Sequence, residues 1–159
     1  MCIVVNNCTE KRLIMSGLNF KLYQKPMSNP ETSYIQLQVG KGKKKQPSIY
    51  IESNAFDCVR GVIWNKHREF AHQKKVNQIN NDDWSRILKG FEETIVDLKT
   101  CTDANALVDV LSLPNHLISQ KAIIFEQIEE LQHFIKALIQ WIEMYLKKER
   151  YILIIQNDA

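Results

Sequence analysis

The feature that most constrains the fold of this chain is a long helical stripe in its last third. Between about His116 and Lys148, apolar side chains recur at alternating intervals of four and three residues, which is the spacing of a sustained heptad pattern. Phe134, Ile139 and Trp141 widen the stripe, so we expect the helix to pack on more than one neighbour. We call the stripe the heptad seam; it consists of Ile124, Ile128, Leu131, Ile135, Leu138, Ile142 and Tyr145.

The predicted length of this helix bears on what the seam does. Roughly 32 residues at 1.5 Å each span about 48 Å, and about 20 residues already match the diameter of a small domain. The seam has two readings: it completes the core of a monomer, or it is an oligomer interface or the filler of a partner's groove. The length favours self-association, and we predict a homodimer with the seam as its interface.

The first half of the chain has a different period, in which every second side chain is apolar. The alternation is found in FKLYQK (20–25), YIQLQV (34–39) and SIYIES (48–53), and it is typical of an antiparallel sheet with one buried and one solvated face. CVRGVIW (58–64) and EFAHQKKVNQI (69–79) are further strand candidates. The final YILIIQND is either a last strand or an apolar tail that docks on the domain.

A helix is predicted where the period changes at Asn80. We expect Asn81 to cap it, with acidic residues in its first turn, and a shorter helix to cover DANALVDVLSL before Pro114. Its apolar stripe consists of Trp84, Ile87, Leu88, Phe91, Ile95 and Leu98. The predicted fold class is α+β: an N-terminal antiparallel β-sheet (1–80) followed by two or three α-helices (81–159), including one long C-terminal helix, in one integrated domain.

Charge is divided unevenly between the two halves. Residues 1–80 hold 13 Lys and Arg against 5 Asp and Glu, a net charge of +8, whereas residues 81–159 hold 8 against 13, a net of −5. The hydrophobic fraction of 45% and the charged fraction of 25% are those of a globular protein rather than a disordered one. The split suggests that the first half faces a polyanion.

The predicted sheet carries a candidate binding surface on its solvated side. If the three alternating segments share one sheet, its outward face carries Tyr23, Tyr34 and Tyr50, with Lys21 and Lys25 beside them. Bases of single-stranded nucleic acid stack on such rings, and lysines neutralise phosphates with little sequence preference. The hairpin tip and the following segments would extend this basic track through Lys41, Lys43, Lys44, Lys45, Arg60, Lys66, Arg68, Lys74 and Lys75.

An ordinary explanation exists for the same patch. Outward tyrosines are common in strands, and a lysine-rich tip keeps a hairpin soluble and discourages pairing of sheet edges. The uneven charge of the two halves favours nucleic-acid binding over this ordinary explanation.

The order of basic strands followed by NQINNDDWSRILKGFEETIVDL resembles the positive-cofactor family of transcriptional coactivators, over about residues 20–98. The Whirly proteins are similar in architecture, with a longer helical tail, and GKGKKK is superficially similar to their basic loop. The resemblance implies a homodimer that binds single-stranded DNA or melted duplex, with Trp84 in the packing of the helix rather than on DNA.

Catalytic and metal-binding motifs are not predicted. There is no P-loop, G-x-G-x-x-G or G-x-S-x-G motif, and neither Cys58 nor Cys101 has the local signature of a nucleophile. The pairs Cys2-x5-Cys8 and His67-x4-His72 each lack the second pair that a zinc site needs. We therefore expect no enzyme activity, no cofactor and no metal.

The sequence also bears on location and partners. The opening residues do not have the pattern of a signal peptide, and no apolar run reaches the roughly 18 residues of a membrane span, so we expect an intracellular protein, cytoplasmic or nuclear. The leading hypothesis is a homodimer that binds single-stranded DNA or RNA, DNA favoured, largely independently of sequence. The alternative is a regulatory adaptor that contacts a protein partner through the helical half. A third hypothesis is the arm-type DNA-binding piece of a recombination system.

Overall fold

A computed structural model describes residues 17–26, 31–40, 46–71 and 73–157 of the chain. The described residues form four strands and six helices, so the α+β class is confirmed, whereas the prediction of two or three helices is wrong in number. In chain order the elements are β1 (Tyr34–Val39), β2 (Ser48–Glu52), α1 (Ser53–Lys66), β3 (Val76–Asn80), α2 (Asn81–Lys99), α3 (Ala104–Leu111), α4 (Asn115–Ile118), α5 (Lys121–Glu126), α6 (Ile128–Leu146) and β4 (Tyr151–Asn157).

The four strands form one antiparallel sheet in the order β2-β1-β4-β3. The last strand of the chain lies in its interior, where Leu37 of β1 faces Ile154 and Ile79 of β3 faces Ile152. The prediction of a strand in YILIIQND is confirmed. The sheet is not confined to the N-terminal half as predicted, because both halves of the chain contribute to it.

Alternate side chains of the sheet point into a single hydrophobic core. The inner face carries Ile35, Leu37, Ile49, Ile51, Ile79, Ile152 and Ile154, all buried with apolar side chains from the helices. The predicted alternation of β1 and β2 is confirmed, since each second residue of these strands is buried. The helices that contribute to this core therefore pack on the inner face.

The helix predicted after Asn80 is confirmed as α2. Its cap is Asn80 rather than Asn81, because the Asn80 side chain accepts a hydrogen bond of 2.9 Å from the backbone N–H of Asp83. All six side chains of its predicted stripe are buried. The indole Nε1 of Trp84 donates to the carbonyl oxygen of Ile152 at 3.1 Å, which ties α2 to β4.

Three strand predictions are wrong in extent or type. CVRGVIW lies inside α1, whose buried Phe56, Val59 and Ile63 recur at helical spacing. Among the described residues of EFAHQKKVNQI, only those from Val76 onward belong to a strand, β3. The predicted strand FKLYQK is reduced to a single bridge, in which Tyr23 and Tyr50 exchange two backbone hydrogen bonds of 2.9 and 2.8 Å.

The predicted long helix is divided into α4, α5 and α6. The longest of them, α6, has 19 residues, about 28 Å at 1.5 Å per residue, so the length argument for self-association no longer applies. The last interruption is at Gln127, whose side chain bonds the backbone of Leu18 rather than facing solvent. The Leu18 N–H donates to Oε1 at 2.8 Å, and Nε2 donates to the Leu18 carbonyl at 2.9 Å.

The heptad seam packs inside a single chain. Five of its seven side chains, those of Ile124, Leu131, Ile135, Leu138 and Ile142, are at most 1% exposed. Ile128 and Tyr145 are partly buried against the same core. The seam therefore completes the core of a single chain, and its five buried side chains leave no surface for a second copy. The homodimer stays a prediction, without the interface assigned to it.

No helix within the described ranges is long and apolar enough to cross a membrane.

Candidate functional site

The side of the sheet opposite the core carries the other half of the strand side chains, and we call it the outer face. The strand register aligns five of its residues in one row across the sheet: Tyr23, Tyr50, Gln36, Ile155 and Val76. Four inter-strand spacings give this row a length of about 19 Å. None of the five belongs to the core cluster of buried side chains.

Three tyrosines occupy one end of the outer face. The rings of Tyr34 and Tyr50 meet edge to face, with centroids 5.7 Å apart and an interplanar angle of 67°. Tyr23 lies directly opposite Tyr50, and its hydroxyl accepts a hydrogen bond of 2.7 Å from the side-chain amide of Asn19. All three are partly exposed. The structure thus brings together the three tyrosines that the alternation placed on the solvated side.

An apolar patch continues the outer face towards β3. It consists of Ile155 from β4, which is partly exposed, and Val76 from β3, which is 41% exposed; Leu153 lies on the same face but is buried. The sequence reasoning did not assign these residues to the site. The sequence feature that indicates the two β4 residues is the unbroken apolar run in YILII. Such a run is typical of an interior strand with apolar side chains on both faces.

Four exposed lysines border this face on its two edges. Lys21 and Lys25 flank Tyr23 along the chain. Lys74 and Lys75 precede β3, and their carbonyl oxygens accept hydrogen bonds from Gln156 at 2.9 and 2.8 Å. The tip lysines Lys41, Lys43, Lys44 and Lys45 lie outside the described residues.

One acidic group also lies on the outer face. The carboxylate of Glu52 accepts a hydrogen bond from the side chain of Asn19, and Glu52 is paired with Tyr34 in the strand register. It reduces the positive charge at the tyrosine end.

Three other residues of the predicted basic track lie on or just after α1, which packs on the inner face of the sheet. Each of them contacts a side chain on that side of the molecule. The Nε of Arg60 donates to Asp57 at 2.7 Å, and Lys66 pairs with Glu93 at 3.0 Å. The guanidinium of Arg68 lies 3.8 Å from the ring centroid of Trp64. The structure does not bring these three cations to the outer face.

Both described cysteines have thiols that stay protonated at neutral pH. Burial, and then the neighbouring Asp57 carboxylate, raises the pKa of Cys58 to about 12. Burial also raises the pKa of Cys101, with smaller contributions from Asp103 and Asp97. A thiol with a raised pKa is a poor nucleophile and a poor metal ligand.

Of the histidine and cysteine pairs considered as zinc ligands, only His67 lies within the described residues. Burial lowers the pKa of His67, and its Nδ1 lies 3.6 Å from the Asp83 carboxylate, which is too far for a hydrogen bond. Cys2, Cys8 and His72 fall outside the described residues. In the part of the chain that the structure describes, no group of three or more His, Cys, Asp or Glu side chains is arranged to hold a metal ion.

Comparison with known proteins finds no matching family model, no matching curated protein and no matching solved structure. The resemblance to the positive-cofactor and Whirly families stays a prediction.

Proposed function

We propose that this protein binds single-stranded nucleic acid, DNA by preference, on the outer face of its sheet and without catalysing a reaction. The observation that carries the proposal is the meeting of Tyr23, Tyr34 and Tyr50 on one partly exposed face. A strand laid along the row, whose length is about 19 Å, would meet these rings first and the apolar patch next. Lysines border both ends of this path.

The interactions divide into a stacking part and a charge part. Base–aromatic stacking contributes about 1–3 kcal/mol per base and accepts any base. Because Tyr34 and Tyr50 meet edge to face at 67°, a base can lie flat on only one of these two rings at a time. The lysines at the edges would contact phosphates, so affinity falls as salt rises. Neither part reads base edges, which makes the proposed binding largely independent of sequence.

The adaptor hypothesis has less support. It assigned the partner contact to the helical half, but the seam side chains suited to that contact are buried in the core. Self-association is a separate prediction, and the outer face can bind a strand in one copy or in two.

The stacking part is tested by fluorescence anisotropy with labelled oligo-dT at about 50 mM salt, where phosphate contacts are strong. Truncation of Tyr34 and Tyr50 together to Ala should weaken binding by about 1–3 kcal/mol per stacked base, which is roughly 5- to 150-fold. The matched control is Tyr145→Ala, which removes a partly buried tyrosine from the helical side. Oligo-U in place of oligo-dT tests the preference for DNA.

The charge part is tested in the same titration over a range of salt concentrations. Replacing Lys74 and Lys75 by Ala should reduce the slope of log K against log salt by about 0.7 for each phosphate that these lysines neutralise. Lys66→Ala should leave the slope unchanged, because that lysine pairs with Glu93 on the helical side. Replacing Lys43, Lys44 and Lys45 by Glu should abolish binding in a folded protein. Absence of binding at about 50 mM salt would disprove the proposal, and unchanged affinity in the tyrosine variant would remove its stacking part.

A further inference from the structure

A cavity lies on the helical side of the molecule, away from the outer face, where α1 meets the segment after α3. The cavity has a volume of about 550 Å³, within the range of small-molecule sites. Trp64, Phe70 and Pro114 form apolar walls, and Arg60, Asn65 and His116 supply polar groups. Trp64 is 45% exposed, an unusual position for the largest apolar side chain, and its ring is a ready surface for a ligand.

Two backbone features hold the walls in place. Gly61 of α1 lies so close to Ser112 that a Cβ atom at this position would overlap the Ser112 carbonyl oxygen. Ser112 has a φ of 50°, a left-handed conformation that costs a non-glycine residue about 1–3 kcal/mol. Its turn ends α3 and carries Pro114 and His116 over α1. The close approach of the two segments is therefore built into the fold.

A buried carboxylate orients the two basic groups of the cavity. One oxygen of Asp57 accepts from Nε of Arg60 at 2.7 Å, and the other lies 2.8 Å from Nε2 of His116. The guanidinium carbon of Arg60 is also held 5.5 and 5.8 Å from the ring centroids of Phe56 and Phe70. Arginine fixed in this way loses little side-chain entropy when a ligand binds.

Hydrogen-bonding capacity is left over in the cavity. Within the described ranges, only Nε of Arg60 has a protein acceptor, so both terminal Nη groups keep their donors. The side chain of His116 is 56% exposed, and only its Nε2 is bonded to a described residue. Asn65 donates to the Ser112 hydroxyl oxygen at 2.9 Å, which leaves the Asn65 carbonyl oxygen as an acceptor at the rim.

We propose that this cavity binds a small planar aromatic molecule that carries a carboxylate or phosphate group. The ring would pack against Trp64 and Phe70, and the anion would take the paired Nη donors of Arg60 in the bidentate geometry that guanidinium favours. Both oxygens of Asp57 are already engaged, which limits its repulsion of the anion. Arg68, stacked on Trp64 at 3.8 Å, adds positive charge beside the indole. This site is separate from the outer face and independent of nucleic-acid binding.

The test uses phenylacetate and phenyl phosphate as probes, followed by NMR of the His116 ring and the Trp64 indole N–H. One or both probes should shift these signals saturably, with a Kd below about 1 mM, the range that a small ligand with one ring and one ion pair reaches. The probe that binds more tightly shows whether the site prefers a carboxylate or a phosphate. Phenylacetamide, which lacks the charge, and acetate, which lacks the ring, should bind at least about ten-fold more weakly, because a charge-assisted hydrogen bond and a ring contact are each worth about that much.

Variants separate the site from a general surface effect. Trp64→Ala should weaken probe binding by about ten-fold or more with the fold intact, since the side chain is largely outside the core. Arg60→Lys should do the same, because lysine keeps the charge but not the bidentate fork. Lys66→Gln, at the end of the same helix and outside the cavity, is the matched control and should bind normally. If Arg60→Lys fails to fold, Trp64→Ala decides. No saturable shift up to about 10 mM probe, equal binding of phenylacetamide, or unchanged affinity in Trp64→Ala would each overturn the proposal.

Discussion

Truncation of Leu131 separates the two predicted uses of the heptad seam. Its side chain is 0% exposed in the core of a single chain. Leu→Ala at such a position removes buried carbons and leaves a cavity, and it lowers the free energy of unfolding by about 2–5 kcal/mol. That is a large part of the roughly 5–15 kcal/mol by which a native domain is stable. In a domain of this size, each kcal/mol shifts the Tm by about 2–4 °C, so we expect Leu131→Ala to lower it by about 4–20 °C.

The assay is urea denaturation followed by circular dichroism, at two protein concentrations about a hundred-fold apart. If the seam is intramolecular, Leu131→Ala loses the same roughly 2–5 kcal/mol of unfolding free energy at both concentrations. The control is Met144→Ala on the same helix, which is 52% exposed and should change stability by less than about 0.5 kcal/mol. A wild-type midpoint that rises with protein concentration, together with a Leu131→Ala midpoint that does not, would indicate a seam shared between copies. That result, or a loss below about 1 kcal/mol in Leu131→Ala, would show that the seam does not complete the core of a single chain.

Two further predictions concern titratable side chains. Because burial and Asp57 raise the pKa of Cys58 to about 12, a thiol reagent at about pH 7.5 should label the peptide containing Cys58 only after unfolding in urea; labelling of the native protein at this site would contradict the assignment. Burial lowers the pKa of His67, so below about pH 6.5 the unfolded chain binds a proton that the folded chain excludes. Stability should therefore fall as the pH drops from about 6.5 towards the lowered pKa, although nearby Glu69 opposes the shift and Arg86 adds to it. Thermal melts of wild type and His67→Gln across this range check the effect, and equal pH slopes would count against it.

The elements that the sequence reveals are those whose signals are local. α2 is predictable because its capping residue and its stripe both lie within a single short segment, Asn80 to Leu98. β1 and β2 are predictable because one face of each is solvated, which produces strict alternation. In α1, by contrast, seven of 14 residues are buried. Its CVRGVIW segment is rich in β-branched residues, and only tertiary packing decides between helix and strand there.

Long-range contacts account for the remaining differences. The interior position of β4 depends on pairing with β1 and β3, which lie far earlier in the chain and for which no local pattern exists. The break at Gln127 is equally hidden, because glutamine is a good helix former and the heptad spacing continues across it. At this position the Gln127 side chain makes two hydrogen bonds to the backbone of Leu18, 109 residues earlier in the chain, a contact that no local pattern reveals.

The charge of the outer face also depends on long-range contacts, so the sequence alone does not predict it. The net charge of +8 in the first half suggested one continuous basic track, but the fold divides its described cations between two sides of the molecule. Lys21, Lys25, Lys74 and Lys75 lie at the edges of the outer face and are exposed. Arg60, Lys66 and Arg68 lie on the helical side. The first two pair with carboxylates, and the guanidinium of Arg68 lies on an indole ring. Because a cation already paired on another face adds little to phosphate binding, the charge of the half chain overstates what the outer face can offer. The same division places Arg60 at the cavity beside α1 and Arg68 on the indole ring of Trp64, so two of the three cations missing from the basic track belong to the proposed second site, and Lys66 lies outside it.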